Sequence, residues 1–432
     1  MADVRPFRAL HYNPDVVPDV ATVLPTVPAS APSDLLAYDR DRSPFAFRRL
    51  EPGLVPHPDA PRLHEQAGRT LRSWIRNGTL THLPQPAFLR LEQRFVLHGA
   101  PMVRTGVIGR VRLHDYGDRV ILPHERTLRA PRLSRTDLLR STHAQFSPIY
   151  FLYGDPELSL ERTLSTAPER PPLCAWQDRD DVLHTIHVLD EPGVVNAIAT
   201  TFRERQLLIA DGHHRYEAAL ALRRESTTTG ADTDWIMGFL ANAHAPDTVV
   251  QPTHRILRGL PGFRTDRFVE QLRALFSLEE VDAPLEQPAL QPLLDDTETL
   301  LLALADTPGA RPRLLRLHPR RDRVAEAIRR HRLPPVAERI PLLLLHDLIL
   351  PRLANLSVRE QETTSHILHT HALAEVREAL GHPDTHFAAL PGRLAIDPLL
   401  EIGNAGLFLP QKSTYFFPKV PPGLAMLDLH LP

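Results

Sequence analysis

LLIADGHHRYEAALAL, residues 207–222, decides how this chain is read. Leu207, Leu208, Ile209 and Ala210 have the makeup of a short buried strand, and an alanine-rich helix is predicted from Tyr216 to Arg224. Between them lies a polar turn of Asp211, Gly212, His213, His214 and Arg215. Strand, glycine turn and helix together aim backbone N–H groups at an anion. Gly212 permits close backbone approach or a positive φ, and Asp211 stands where it can cap the helix. His213, His214 and Arg215 add donors over the first helical turn, which suits phosphate. Two adjacent histidines do not share a helix face, so a simple two-histidine zinc pair is not expected, and no metal ligand is assigned.

Three further polar motifs stand out from the apolar scaffold. LPHERT (122–127) places His124 and Glu125 after the strand-like RVIL. Glu125 can act as a general base, with His124 orienting it or binding phosphate. QKST (411–414) sets Lys412, Ser413 and Thr414 between two apolar segments as a cation-plus-hydroxyl turn for an oxyanion. It lacks the glycines of a Walker loop. PTHR (252–255) supplies Thr253, His254 and Arg255, a weaker signal assigned to substrate binding.

Lysine usage sharpens the third motif. Lys and Arg total 50, yet Lys412 and Lys419 are the only lysines, and both fall in KSTYFFPK. Arginine is a planar fork and lysine a compact point charge. Lysines kept in an otherwise lysine-free chain point to sites where a guanidinium does not serve, so Lys419 joins the candidate substrate-binding groups.

Composition bounds the rest. A chain of 432 residues, 42 % apolar and 24 % charged, predicts a globular protein of two or three domains. A net charge of −2 gives no basic field for nucleic acid. The apolar run at 341–345 is far short of a membrane span, and the N-terminus lacks a signal-peptide core. A cytoplasmic location without a membrane partner is the expectation. A single cysteine, Cys174, rules out an internal disulfide, and its flanks offer nothing to lower a thiol pKa. No GxSxG elbow accompanies the many histidines and acids.

Four segments are expected: a proline-rich wrap and β-hairpin region (1–115), a core with the His-Glu and DGHHR motifs (116–260), an inserted α/β unit (261–335), and C-terminal helices with a KST hairpin (336–432). A helix is predicted over 64–78, two strands within 87–116, strands at 149–155 and 184–190, and a helix over 194–205. Further on, helices are predicted over 266–276, 322–332 and 337–353, and strands at GLFLP, YFFPKV and AMLDLHL.

RPFRALHYNP (5–14), VILPHERT (120–127), LLIADGHHRYEAAL (207–220), PTHR and LPQKSTYFFPK (409–419) occur in this order. Together they resemble the bacterial and archaeal domain-of-unknown-function family numbered 1015, over nearly the whole chain. The family's proline-tyrosine-aspartate segment is replaced here by residues 21–35. The DGHHR turn also resembles the anion-binding turn of the ParB/sulfiredoxin superfamily. Sulfiredoxins carry their catalytic cysteine where this chain has His213, so redox chemistry is not implied. The free serine kinases of that superfamily similarly pair a His-Glu motif with such a turn.

The resemblance implies an α/β fold, a ParB/sulfiredoxin-like core with additional α/β units and mixed sheets. It implies a kinase that uses ATP or ADP with Mg²⁺ to phosphorylate the hydroxyl of serine or a related amino acid. Glu125 would be the base, with His124 and Asp211 as its catalytic companions and Asp211 near metal or acceptor. Gly212, His213, His214 and Arg215 would hold nucleotide phosphates, beside Lys412, Ser413 and Thr414. The alternatives are a nucleotide-binding switch or DNA-associated ParB-like module, and a phosphate-ester hydrolase.

Overall fold

The computed structural model describes residues 1–53, 59–125, 129–168, 170–225, 232–305, 311–363 and 365–431. The chain is mixed α/β and forms two compact units. The first holds residues 1–123, 127–248 and 418–432, and the second holds 124–126 and 249–417. The chain therefore passes between units on either side of the His124-Glu125 motif and again between Phe417 and Pro418.

A nine-stranded mixed sheet organises the first unit. Strand Leu207–Asp211 lies between the parallel Ile121–Leu122 and the antiparallel Ile149–Tyr153. The register shifts between Ile209 and Asp211, a bulge at the point where the polar turn begins. Trp235–Asn242 follows, parallel to Ile149–Tyr153, and then the long hairpin Phe88–Leu97 and Ala100–Arg112. The four apolar residues of 207–210 are all buried, so this strand, second from the sheet edge, is covered on both faces. Helix His213–Glu225 packs on helix Arg129–Thr142, which in turn packs on helix Ala60–Arg76. Ala67, Leu71 and Trp74 of the last helix enter a core with Leu138, Phe146 and Met426.

The second unit is built on a six-stranded sheet whose neighbours are all antiparallel. Its order is 276–281, 313–319, 300–304, 385–391, 254–258 and 367–370. Leu290, Leu294, Leu301, Leu314, Val376 and Leu390 form its core.

Several expectations need correction. The helix predicted over 337–353 is broken into a 3₁₀ turn (Pro335–Arg339), helical Pro341–Leu343, a π-helical turn (Leu344–Ile349) and helical Leu350–Leu353. Pro341 and Pro351 have no N–H for the regular ladder. GLFLP is not a strand. Only Leu409 makes a bridge, to Glu125. AMLDLHL forms a strand only at Leu427–Asp428, with Met426 making a single antiparallel bridge to Leu10. Several elements of the second unit had no strong sequence signal, among them strands Phe276–Val281, Ile367–Thr370 and Thr385–Pro391 and helices Gln287–Leu294, Leu373–Leu380 and Ile396–Ala405. Among the described residues, no helix is long and apolar enough to cross a membrane.

Candidate functional site

In the first unit the helix begins at His213, so DGHHR spans the strand end and the first helical turn. Gly212 sits at φ +102°, and an added Cβ would lie 2.8 Å from both Arg215 Nη2 and Ile149 Cδ1. Only glycine fits this corner without strain. Its carbonyl accepts the N–H groups of Arg215 and Tyr216 at 2.9 and 3.0 Å, which closes the turn.

The side chains of this turn are tied to one another. Arg215 Nη1 donates to Ser147 Oγ and to the Pro148 carbonyl, each at 2.7 Å, and Nη2 donates to Asp211 Oδ2 at 3.3 Å. Lys419 Nζ lies 3.4 Å from the other Asp211 oxygen. The Asp211 carboxylate thus takes two cations, a role beyond the helix cap read from sequence. Burial pushes its pKa up, but Lys419, Arg215 and His213 together pull it down to about 2. His213 is buried and His214 half-buried. Burial also lowers the His214 imidazole, which favours its neutral form.

The segment bearing Lys419 is anchored from within the sheet. Arg104 is fully buried and stacks on Tyr150, 4.9 Å from the ring centroid. It donates to Gln93 Oε1 and to the Pro418 carbonyl. Gln93 Nε2 donates to the Lys419 carbonyl at 3.0 Å and meets His184 Nδ1 at 3.1 Å. His184 in turn meets Asp178 at 2.8 Å and stacks on Trp176. None of these anchoring residues was singled out from sequence. The legible signal was a polar Gln93 and Arg104 at inward positions of the hairpin.

In the second unit two motifs nearly 290 positions apart in the chain come together. Glu125 Oε1 accepts the Lys412 backbone N–H at 3.0 Å. The Leu409 N–H donates to the His124 carbonyl at 2.7 Å, and Glu125 bridges Leu409 in parallel. His124, fully buried, meets Thr414 Oγ1 at 3.0 Å through Nε2. Ser413 is buried and donates to the Pro410 carbonyl. Glu125 is therefore fastened to the turn that carries Lys412. Lys412 has a φ of +54°, unusual for a side chain of its size, while its ammonium is exposed.

PTHR supports this turn from beneath. Arg255 is fully buried and donates to the carbonyls of Thr253, Gln411 (3.4 Å) and Lys412 (3.2 Å). Its Nε donates to His346 Nε2 at 3.0 Å. His346 must then accept through Nε2 and carry its proton on Nδ1, which meets Gln361 Oε1 at 2.6 Å. Burial and Arg255 hold His346 well below its ordinary pKa, in keeping with that neutral tautomer. His346 lies in the π-helical turn, and such turns often mark functional positions. The sequence carried its signal as a histidine inside an apolar run.

Thr253 Oγ1 meets His371 Nδ1 at 3.3 Å, and His371 stacks on Tyr415 with ring centroids 3.8 Å apart. His254 is buried, its Nδ1 has no hydrogen-bond partner, and burial pushes its pKa down to about 3. These contacts make Thr253, His254 and Arg255 parts of the framework as well as candidate substrate groups. Burial also pushes the Cys174 thiol up to about 12, so it stays protonated.

No curated protein matches the chain. Among solved structures it resembles a free serine kinase in complex with AMP, at 13 % identity and a TM-score of 0.36, over 72 % of this chain and 90 % of that one. It likewise resembles a conserved hypothetical protein from Pyrococcus furiosus, at 11 % identity and a TM-score of 0.34, over 72 % and 93 %. A third likeness is SbnI with a C-terminal truncation from Staphylococcus aureus, at 11 % identity and a TM-score of 0.33, over 73 % and 87 %. The family model described as a protein of unknown function (DUF1015) matches residues 4–330, about three quarters of the chain, and the chain belongs to that family.

Proposed function

We propose that this protein is a nucleotide-dependent phosphotransferase that phosphorylates the hydroxyl of a small amino acid, serine or a related compound. The observation that carries the reading is the Glu125 carboxylate fixed on the Lys412 turn. A base fastened to the turn that carries a compact cation is what hydroxyl activation beside a phosphoryl group requires. Glu125 accepts the hydroxyl proton. The oxygen then attacks the terminal phosphorus of ATP or ADP, and the shortened nucleotide leaves with the electron pair of the broken P–O bond. His124 holds the Thr414 hydroxyl through Nε2.

Phosphate binding is assigned to the glycine turn of the first unit and to Lys412, Ser413 and Thr414 of the second. At the first turn Gly212 allows close approach, His213 and His214 lie over the helix start, and Arg215 and Lys419 set the charge of Asp211. A Mg²⁺ held by side chains alone does not fit. Among the described residues no group of three or more acids, histidines or cysteines gathers, and Asp211 is already engaged by two cations.

The test mixes the full chain with Mg²⁺, ATP or ADP and a panel of hydroxy amino acids, with products followed by ³¹P NMR. A phosphorylated acceptor is the expected outcome. Phosphate release without an acceptor would mean a hydrolase, and binding without turnover would mean a nucleotide switch.

A further inference from the structure

We infer that the Lys412 turn is one wall of an oxyanion-binding site in the second unit, completed by Arg255 and by His369, and that it takes a phosphate or carboxylate group. The inference extends the role proposed for Lys412, but it rests on this unit alone.

Arg255 gives the first reason. Its guanidinium is fully buried and is met only by neutral acceptors: three carbonyls and the neutral His346 ring. Among the described residues no carboxylate lies within ion-pair distance of it. A buried cation without a counter-charge is costly, and burial lowers its pKa while Glu125 pulls it back from a greater distance. An incoming anion supplies the missing charge.

His369 gives the second reason. Strands His254–Arg258 and Ile367–Thr370 are antiparallel, and Arg255 pairs directly with His369 across them. Directly opposed residues share one face of the sheet. Burial and then Arg255, Lys412 and His371 push the His369 imidazole down to about 3. Arg255 and Lys412, the charges that act on it most strongly, are both cations.

The third reason is the way Lys412 is presented. Its N–H is held by Glu125 and its carbonyl by Arg255, and its φ is left-handed. Three constraints fix the backbone, yet among the described residues the ammonium makes no hydrogen bond or ion pair. A backbone fixed this firmly under an unengaged charge is preorganised for a ligand. Among the described residues the cations Arg255 and Lys412 are accompanied by the single carboxylate of Glu125, which acts on Arg255 and accepts the Lys412 backbone N–H.

The full chain is titrated calorimetrically at low ionic strength with inorganic phosphate and, separately, with acetate, in the absence of nucleotide. Lys412→Gln is expected to weaken binding about tenfold or more, the scale of one charge-assisted hydrogen bond. His369→Gln is expected to weaken it about fivefold, and the exposed control Arg264→Gln to leave it unchanged. Tighter binding of phosphate than acetate identifies a phosphate site, and the reverse order a carboxylate site. The inference is overturned if neither anion binds or if both site variants bind like the original chain. Because no turnover is measured, a failed kinase assay leaves this result standing, and a failed titration leaves the kinase assay standing.

Discussion

The two lysines of this chain stand seven positions apart, in different units, and their surroundings differ in one respect. Lys419 is as exposed as Lys412, but it spends its charge on a carboxylate of the chain itself, Asp211 at 3.4 Å. Lys412 has its backbone fixed and its ammonium left to solvent. Both segments are held by a buried arginine donating to main-chain carbonyls, Arg104 at Pro418 and Arg255 at Gln411 and Lys412. The anchors are alike, and the use of the ammonium differs. A lysine that pairs with a neighbouring carboxylate sets the state of a turn, whereas one displayed on a rigid turn is available to a ligand.

The strongest way to break the comparison is to remove the anchors. Arg255→Met and Arg104→Met each leave buried carbonyl acceptors without donors, and each is expected to cost about 3 kcal/mol of stability. Denaturant unfolding checks this. A loss below about 1 kcal/mol in either variant would remove that residue from the role of anchor.

Gly212→Ala comes next. It forces a Cβ against Arg215 and Ile149 at positive φ, at a cost of about 2 kcal/mol, and is expected to weaken nucleotide binding while phosphate binding at the Lys412 turn is kept. Lys412→Arg keeps charge and changes shape. The expected outcome is a turnover loss of about tenfold, read from initial rates. Normal rates would make the survival of this lysine accidental.

The units also differ toward acid. His254 and His369 have folded pKa values near 3, below the ordinary 6.5, so the unfolded chain binds more protons in that range. Their contribution to stability is present above pH 6.5 and is lost as pH falls toward 3. Asp211 is depressed from 3.8 to about 2, so its contribution is present above about pH 4 and is lost only below that. Hydrogen exchange at stepped pH is expected to show strands His254–Arg258 and Ile367–Thr370 losing protection as pH falls below 6.5, before Asp211 titrates.

Smallest of all is Lys419→Met. The Asp211 carboxylate is 44 % exposed, so the pair is worth at most about 1 kcal/mol. Its clearer signature is a rise in the Asp211 pKa, followed by carboxyl NMR. An unchanged Asp211 titration would show that Lys419 does not set its charge.

What the sequence made legible follows the strength of local patterns. The strand, glycine turn and helix at 207–225 were readable because buried apolar residues, Gly212 and the alanine-rich run agree at every level. The hairpin at 88–112 was readable from alternation. His124, Glu125 and Lys412 stood out as polar residues between apolar strands, but their meeting at one turn was not legible, because nothing local encodes a contact across some 290 positions. The anchors were hidden for a related reason. Gln93, Arg104 and His369 lie among other polar residues along their strands, and only the sheet register shows what they face, while His346 sits in a helical turn and only the fold brings Arg255 to it. The helix expected over 337–353 failed because its apolar spacing hid two prolines and a widened turn around His346.

The central claim, that Glu125 is the base of a phosphoryl transfer, is tested most directly by Glu125→Gln. The variant keeps the shape of the side chain, and its amide oxygen can still accept the Lys412 N–H. The measurement is turnover of nucleotide with an accepted amino acid, alongside nucleotide affinity. The expected result is a loss of rate of about 10²-fold to 10⁴-fold with affinity retained. Turnover at the original rate would contradict the account.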